Sequence, residues 1–431
     1  MTNHTVREWG HVKLGEAGFT RAQADALHAA ACEHPLAHRD GTNILVYRRD
    51  GLAARQMVGM IATQDCSLEI LPKVDPDMKD DESADAVRHR LVRMLDVALG
   101  LDLETGSDAS IARQQSTLLD ILIRAFANKL IGEVRRGLPR LYRQFDDDLP
   151  ALRGRLDVPR QFTRNAVRPD RLSCQFDELS PDTPLMRIMA ASAVFLARYA
   201  HSAETRRNLD ELRYVFAEIP LVPVARLPWK DVRIDRTNRR WESLYRLARL
   251  LLQRDWQALH HSDDALAGLT LLFPMNDLFE KYVAALLRRA LAGRDIEVVD
   301  QGGHRACLGR FVESVPTRGD VFRTRPDIIL KQHGKTRAIL DTKWKKLSSN
   351  GSDRKLGVSQ ADVYQLMAYA RLYPTKELML LYPEIPGRTC GKRKEWGITG
   401  GLERLQIATI DISCDENEVV SRLAQLCTAL V

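Results

Sequence analysis

Asp327, Asp341 and Lys343 are the residues whose types and spacing suit this sequence to chemistry. They lie in Thr324–Leu347, which reads as two β-strands joined by a turn. The first run is Pro326-Asp327-Ile328-Ile329-Leu330, the turn spans residues 331–336, and the second run is Ala338 to Trp344. Antiparallel pairing brings Asp327 near the end of the second strand, where Asp341 and Lys343 sit. Residues two apart on a strand face the same side, so Asp341 and Lys343 share one. Two carboxylates and a lysine converging at a sheet edge suit a hydrolase that holds a divalent cation and activates a water. Lys343 then orients that water or neutralises charge developing on a phosphate.

The competing reading is a surface hairpin whose acids pair with lysines. Against it, Asp341 ends the apolar run Ala338-Ile339-Leu340, where a charge is costly unless paired or bound to a metal. Glu280 flanks the apolar stripe of a helix expected over 276–292 and is a third candidate metal ligand. Gln365 and Tyr369 lie four apart on the face opposite the apolar stripe (Val363, Leu366, Met367, Ala370) of a helix expected over 359–373. They are expected to contact DNA or to position Lys343.

Other signals carry less. Gly334-Lys335-Thr336 resembles the tail of a phosphate loop, but Ile329 stands where its first glycine belongs and the setting is a hairpin. No nucleotide is expected to bind this chain. Cys32, His34 and His38 resemble half a zinc cluster, but Pro35 interrupts any helix and no partner pair follows. Lys plus Arg total 64 against 57 Asp plus Glu, a formal charge of +7, which is compatible with a nucleic-acid partner. The seven cysteines form no CxxC pair, and neither a secretory leader nor a membrane span is evident. These features point to a cytoplasmic protein with reduced thiols.

Three regions must position these residues. Residues 1–80 read as a β-rich region, with strands near 44–47, 57–61 and 67–71 and one helix within 15–32. The polar stretch 76–84 reads as a linker or loop. Residues 81–265 read as mixed and mostly helical, with helices over 87–101, 118–136, 183–199, 204–216 and 241–256 and a β-excursion at 149–178. Residues 266–431 alternate as helix, strand, hairpin, helix, two strands and helix, which describes a mixed sheet flanked by helices. The fold class is therefore α+β, mixed.

Glu280, Pro326-Asp327, Asp341-Thr342-Lys343 and Gln365…Tyr369 resemble the PD-(D/E)xK nuclease superfamily, in its RecB-like branch. The resemblance implies that residues 266–431 form its endonuclease domain. Upstream, the blocks at 67–74 (SLEILPKV), 137–142 (GLPRLY), 152–157 (LRGRLD) and 177–188 (DELSPDTPLMRI) resemble the McrC family. Met186 departs from that pattern, in which an asparagine precedes the arginine. The McrC resemblance spans essentially the whole chain. It implies the Mg²⁺-dependent nuclease subunit of a modification-dependent restriction system of the 5-methylcytosine type, acting on double-stranded DNA. It also implies a partner, a hexameric McrB-like AAA+ GTPase that binds the GTP and is stimulated through the N-terminal region of this chain. Arg153 and Arg155 are candidates for reaching the GTPase site, because guanidinium groups suit phosphate charge. A catalytically degenerate regulatory or scaffold subunit and a standalone RecB-like repair nuclease are the alternative readings.

Overall fold

The computed structural model describes residues 2–16, 18–37, 43–63, 65–74, 82–103, 116–252, 269–311, 313, 319–348, 353–384, 390–428 and 430. Contacts divide the chain into two compact units, one made of residues 1–102 with 265–431 and the other of 103–264. His38, most of the expected linker at 76–84, and the end of the helix expected over 241–256 lie outside the described residues.

The chain opens with β1 (Thr2–Arg7), β2 (His11–Lys13), α1 (Arg21–Cys32), β3 (Leu45–Arg48), β4 (Gly51–Ala54), β5 (Met57–Ala62), β6 (Cys66–Leu71) and α2 (Ala84–Leu99). The helix expected over 15–32 starts only at Arg21. Thr20 caps it there, accepting from the Gln23 N–H while the Gln23 side chain accepts from the Thr20 N–H. Ser83 caps α2, and Gly100 ends it in the left-handed region at φ 59°.

The second unit holds α3 (Leu118–Arg135), β7 (Leu141–Leu149), β8 (Arg155–Leu156), α4 (Val158–Thr163), β9 (Leu172–Ser180), α5 (Pro184–Leu196), α6 (Ala203–Val215) and α7 (Glu242–Leu252). Helices α3, α5, α6 and α7 pack on one another, and β7, β9 and β8 form a small antiparallel sheet. This is the expected β-excursion among helices, extended back to Leu141. Met186, the departure from the family pattern, is fully buried in α5.

The chain then returns to the first unit with β10 (Leu269–Pro274), α8 (Met275–Ala290), β11 (Glu297–Asp300), β12 (Ala306–Leu308), β13 (Val321–Arg323), β14 (Ile328–Gln332), β15 (Lys335–Thr342), α9 (Gln360–Leu372), β16 (Glu377–Pro383), β17 (Gly391–Gly397), β18 (Arg404–Ile410) and α10 (Glu416–Thr428). Its six-stranded sheet has the order β11-β14-β15-β16-β18-β17. β14–β15 pair antiparallel, β15–β16–β18 parallel, and β17 antiparallel to β18, so the sheet is mixed, as the sequence pattern predicts. Ile329, Ile339, Leu378, Leu380 and Ile407 form its core with Leu366, Tyr369 and Tyr373 of the α9 region. Among the described residues no helix is long and apolar enough to cross a membrane.

The sequence pattern sets residues 1–80 apart from 266–431. In the structure β10 pairs antiparallel with β5, closing the four-stranded sheet β1-β6-β5-β10 and running directly into α8. Leu272 of β10 joins the core cluster that contains Leu27, Leu52 and Ile70. Gly59 makes the pairing possible, because a Cβ there would stand 1.9 Å from the Leu271 carbonyl oxygen, at a φ of +128°.

Candidate active site

The hairpin at the centre of the sheet is set by its turn. His333 and Gly334 both take positive φ, 49° and 73°, the two-residue geometry whose twist matches paired strands. That turn pairs Gln332 with Lys335 and Lys331 with Thr336; a β-bulge between Leu330 and Lys331 then shifts the register by one residue and sets Ile328 opposite Leu340 and Ile329 opposite Ile339. Continuing the register by one step sets Asp327 opposite Asp341. Both then lie on the face of Ile329 and Ile339, beneath α9.

The structure therefore brings Asp327, Asp341 and Lys343 together. Asp327 Oδ2 accepts from the Thr342 N–H at 2.7 Å and from the Thr342 hydroxyl at 3.0 Å. Asp341 is 0% exposed, Oδ1 accepts no hydrogen bond among the described residues, and the Lys343 ammonium stands 2.5 Å from Oδ2. Lys343 lies just beyond β15, its N–H donating to the Leu381 carbonyl at 3.0 Å. Burial, and then the Asp327 charge, push the Asp341 carboxyl above its ordinary value; burial also raises Asp327. A buried acid with an open oxygen beside a second acid is a site that gains from a cation.

Glu280 sits on the buried side of α8, 8% exposed, with Oε1 unpartnered among the described residues. Its pKa is pushed up to about 7, first by burial and then by the Asp327 charge, so it belongs to the same electrostatic neighbourhood. Among the described residues no three His, Cys, Asp or Glu side chains gather closely enough to hold a metal ion by themselves. The donor set present is two adjacent carboxylates with a third nearby. That suits Mg²⁺, which keeps waters and uses one or two carboxylates with substrate phosphate.

Gln365 and Tyr369 are placed differently from the sequence expectation. Tyr369 belongs to the buried stripe of α9, at 3% exposure, and Met367, expected in that stripe, is 40% exposed. The helix is rotated so that the ring packs on the sheet and only its hydroxyl reaches the polar edge. That hydroxyl accepts from Gln365 Nε2 at 2.6 Å and donates to the Arg325 carbonyl at 3.2 Å. Burial, with Asp341 and Asp327 nearby, raises the Tyr369 pKa to about 12, so the hydroxyl stays protonated. The pair anchors the backbone two residues before Asp327.

Several neighbours left no legible trace in the sequence. Lys345 pairs with Asp362 of α9 at 2.6 Å, and Trp344 meets Phe279 of α8 edge to face at 5.5 Å. Adjacency to Lys343 is the one signal that marks Trp344 and Lys345. Arg153 and Arg155 sit on the β7–β9–β8 sheet. Arg153 lies over the Phe176 ring at 4.3 Å and faces Glu178 at 3.5 Å, and Arg155 is exposed.

A sequence-family profile described as "McrBC 5-methylcytosine restriction system component" matches residues 52–383. Among solved structures, the chain is similar to one in "Refined half-complex from tetradecameric assembly of Thermococcus gammatolerans McrB AAA+ hexamers with bound McrC". There 100% of each chain is covered, at a TM-score of 0.74 and 20% identity. It is also similar to a chain of "Cryo-EM structure of the Thermococcus gammatolerans McrBC complex", covering 68% of this chain and 88% of that one, at a TM-score of 0.55 and 25% identity. No curated protein matches.

Proposed function

This chain belongs to the McrBC 5-methylcytosine restriction system component family, and from that premise we propose that it is the Mg²⁺-dependent endonuclease subunit of such a system. The observation that carries the reading is the buried Asp341, with an open carboxylate oxygen, Asp327 beside it and the Lys343 ammonium at 2.5 Å.

Asp341 and Asp327 are the residues that would hold the ion, with Glu280 as an adjacent ligand or as a base for its water. When bound, the cation lowers the pKa of a water and offsets charge on the scissile phosphate. Lys343 is kept protonated by Asp341 and Asp327, and its ammonium offers hydrogen bonds to the attacking water or to the phosphate oxygens. Tyr369 and Gln365 hold the Arg325 backbone and so fix the approach of Asp327 to the sheet edge.

The Thermococcus gammatolerans assemblies join McrB AAA+ hexamers to McrC, and we extend that partnership to this chain. The second unit offers a surface for it: Tyr142 and Phe162 are 77% and 74% exposed, and Leu152 and Val167 are also exposed. Exposed apolar side chains gathered in one small subdomain mark an interaction site. Arg153 and Arg155, on that sheet, are the arginines we assign to the partner's GTPase site.

The test is cleavage of 5-methylcytosine-containing duplex DNA by the complex with its GTPase partner and GTP. Chelation of Mg²⁺ abolishes cutting and Mg²⁺ restores it. Lys343→Ala lowers the rate roughly 10²–10³-fold, as loss of a charge-stabilising donor does. Undiminished cutting by that variant contradicts the assignment.

A further inference from the structure

Glu8 lies far from the acids in sequence, yet it is tied to the residue next to Lys343. Its carboxylate is 3% exposed. Oε2 accepts from the Lys73 N–H at 2.9 Å and from the Trp344 Nε1–H at 3.2 Å. Among the described residues no cation pairs with it, and burial pushes its pKa up to about 7. Burying an acid on two neutral N–H donors costs stability, so the arrangement holds something in place.

What it holds is Trp344. The backbone N–H of this residue donates to Asn276 Oδ1 at 3.1 Å, its ring edge meets Phe279 at 5.5 Å, and its indole N–H reaches Glu8. The first two contacts come from the start of α8. The third comes from the loop after β1, where the Glu8 N–H also donates to the Leu71 carbonyl at 2.9 Å. Lys343, the preceding residue, is past the end of β15; its N–H holds it to the Leu381 carbonyl at 3.0 Å, and the chain beyond it is pinned at Trp344. The direction of its side chain is therefore set from both sides, by the sheet and by the hold on Trp344.

We propose that Glu8 is a positioning residue for the Asp327–Asp341–Lys343 site, acting through the Trp344 indole to aim the Lys343 ammonium. The inference rests on the nuclease reading above. It also gives the N-terminal sheet a part in cutting: a shift of the β1–β6 edge reaches Lys343 through the Glu8–Trp344 hydrogen bond. Displacement of a catalytic group by about 1 Å costs up to ~10²-fold in rate.

The experiment is a double-mutant cycle with Glu8→Ala and Trp344→Phe in the full chain, reconstituted with the GTPase partner. Glu8→Ala is expected to lower kcat about tenfold or more with KM within about twofold. In the Trp344→Phe background the same change has little further effect. Glu8→Gln, whose amide oxygen still accepts from the indole, restores most of the rate. A readout without turnover accompanies the kinetics. The Trp344 fluorescence, taken as wild type minus Trp344→Phe, becomes more accessible to iodide in Glu8→Ala. A wild-type complex that cuts while Glu8→Ala cuts equally well, or effects of the two substitutions that multiply independently, overturns the inference and leaves the nuclease reading standing. A wild-type complex that never cuts overturns both.

Discussion

At the residue scale the proposed chemistry rests on an acid that the fold keeps almost wholly from water. Asp341 has no exposed surface, and among the described residues Lys343 is its one close opposite charge. Asp341→Asn is expected to fold, with its thermal midpoint within a few degrees of the wild type, because it removes a buried charge of raised pKa. The same change is expected to abolish cutting, so stability and activity separate. Tyr369→Phe should cost about 1–2 kcal/mol in denaturant unfolding, because it removes both hydrogen bonds of the hydroxyl. Its cleavage loss should be far smaller than that of Asp341→Asn, since it supports Asp327 only through the Arg325 backbone. Glu8 gives a pH signature. Its folded pKa of about 7 lies above the ordinary 4.5, so the folded state binds the extra proton. The stability this contributes is full below about 4.5 and is lost as pH rises toward 7. Thermal midpoints measured across that window should fall less steeply in Glu8→Gln than in wild type.

At the element scale the hairpin β14–β15 and the pairing of β5 with β10 do most of the positioning, and they differ in what the sequence discloses. The hairpin is local: apolar runs and a glycine turn disclose it, while the β-bulge between Leu330 and Lys331, which shifts the register and places Asp327 across from Asp341, leaves no sequence signal. The β5–β10 ladder joins residues about two hundred positions apart, and no local pattern encodes it. For the same reason Glu8 and Trp344 could not be paired in advance. The apolar stripe puts Tyr369 on the opposite face of α9, but an aromatic with a polar tip satisfies either the core or the edge, and here it serves both. Strands β12 (ACL) and β13 (VFR) are three residues each, too short to show a period, and β17 (GKRKEWG) is polar and carries no apolar alternation. Two glycines separate the elements experimentally. Gly334→Ala meets open space and should cost about 1 kcal/mol from its positive φ alone. Gly59→Ala would drive a methyl into the Leu271 carbonyl and should cost about 3 kcal/mol or more by denaturant unfolding.

At the scale of the whole molecule, the unit carrying the acids is built from both ends of the chain, and the segment 103–264 forms a second unit between them. The exposed Tyr142, Phe162, Arg153 and Arg155 belong to that second unit, and the buried carboxylates belong to the first. The two jobs of the proposed subunit should therefore come apart. Arg153→Ala with Arg155→Ala is expected to weaken stimulation of the partner's GTP hydrolysis several-fold while moving the thermal midpoint little, because these arginines are exposed.

The most direct measurement is made on Asp341→Ala in the complex reconstituted with the GTPase partner, GTP, Mg²⁺ and 5-methylcytosine-containing duplex DNA. The expected result is no detectable cleavage, with GTP hydrolysis stimulated as by the wild type. Cleavage that persists in this variant would contradict the placement of the active site on β14 and β15.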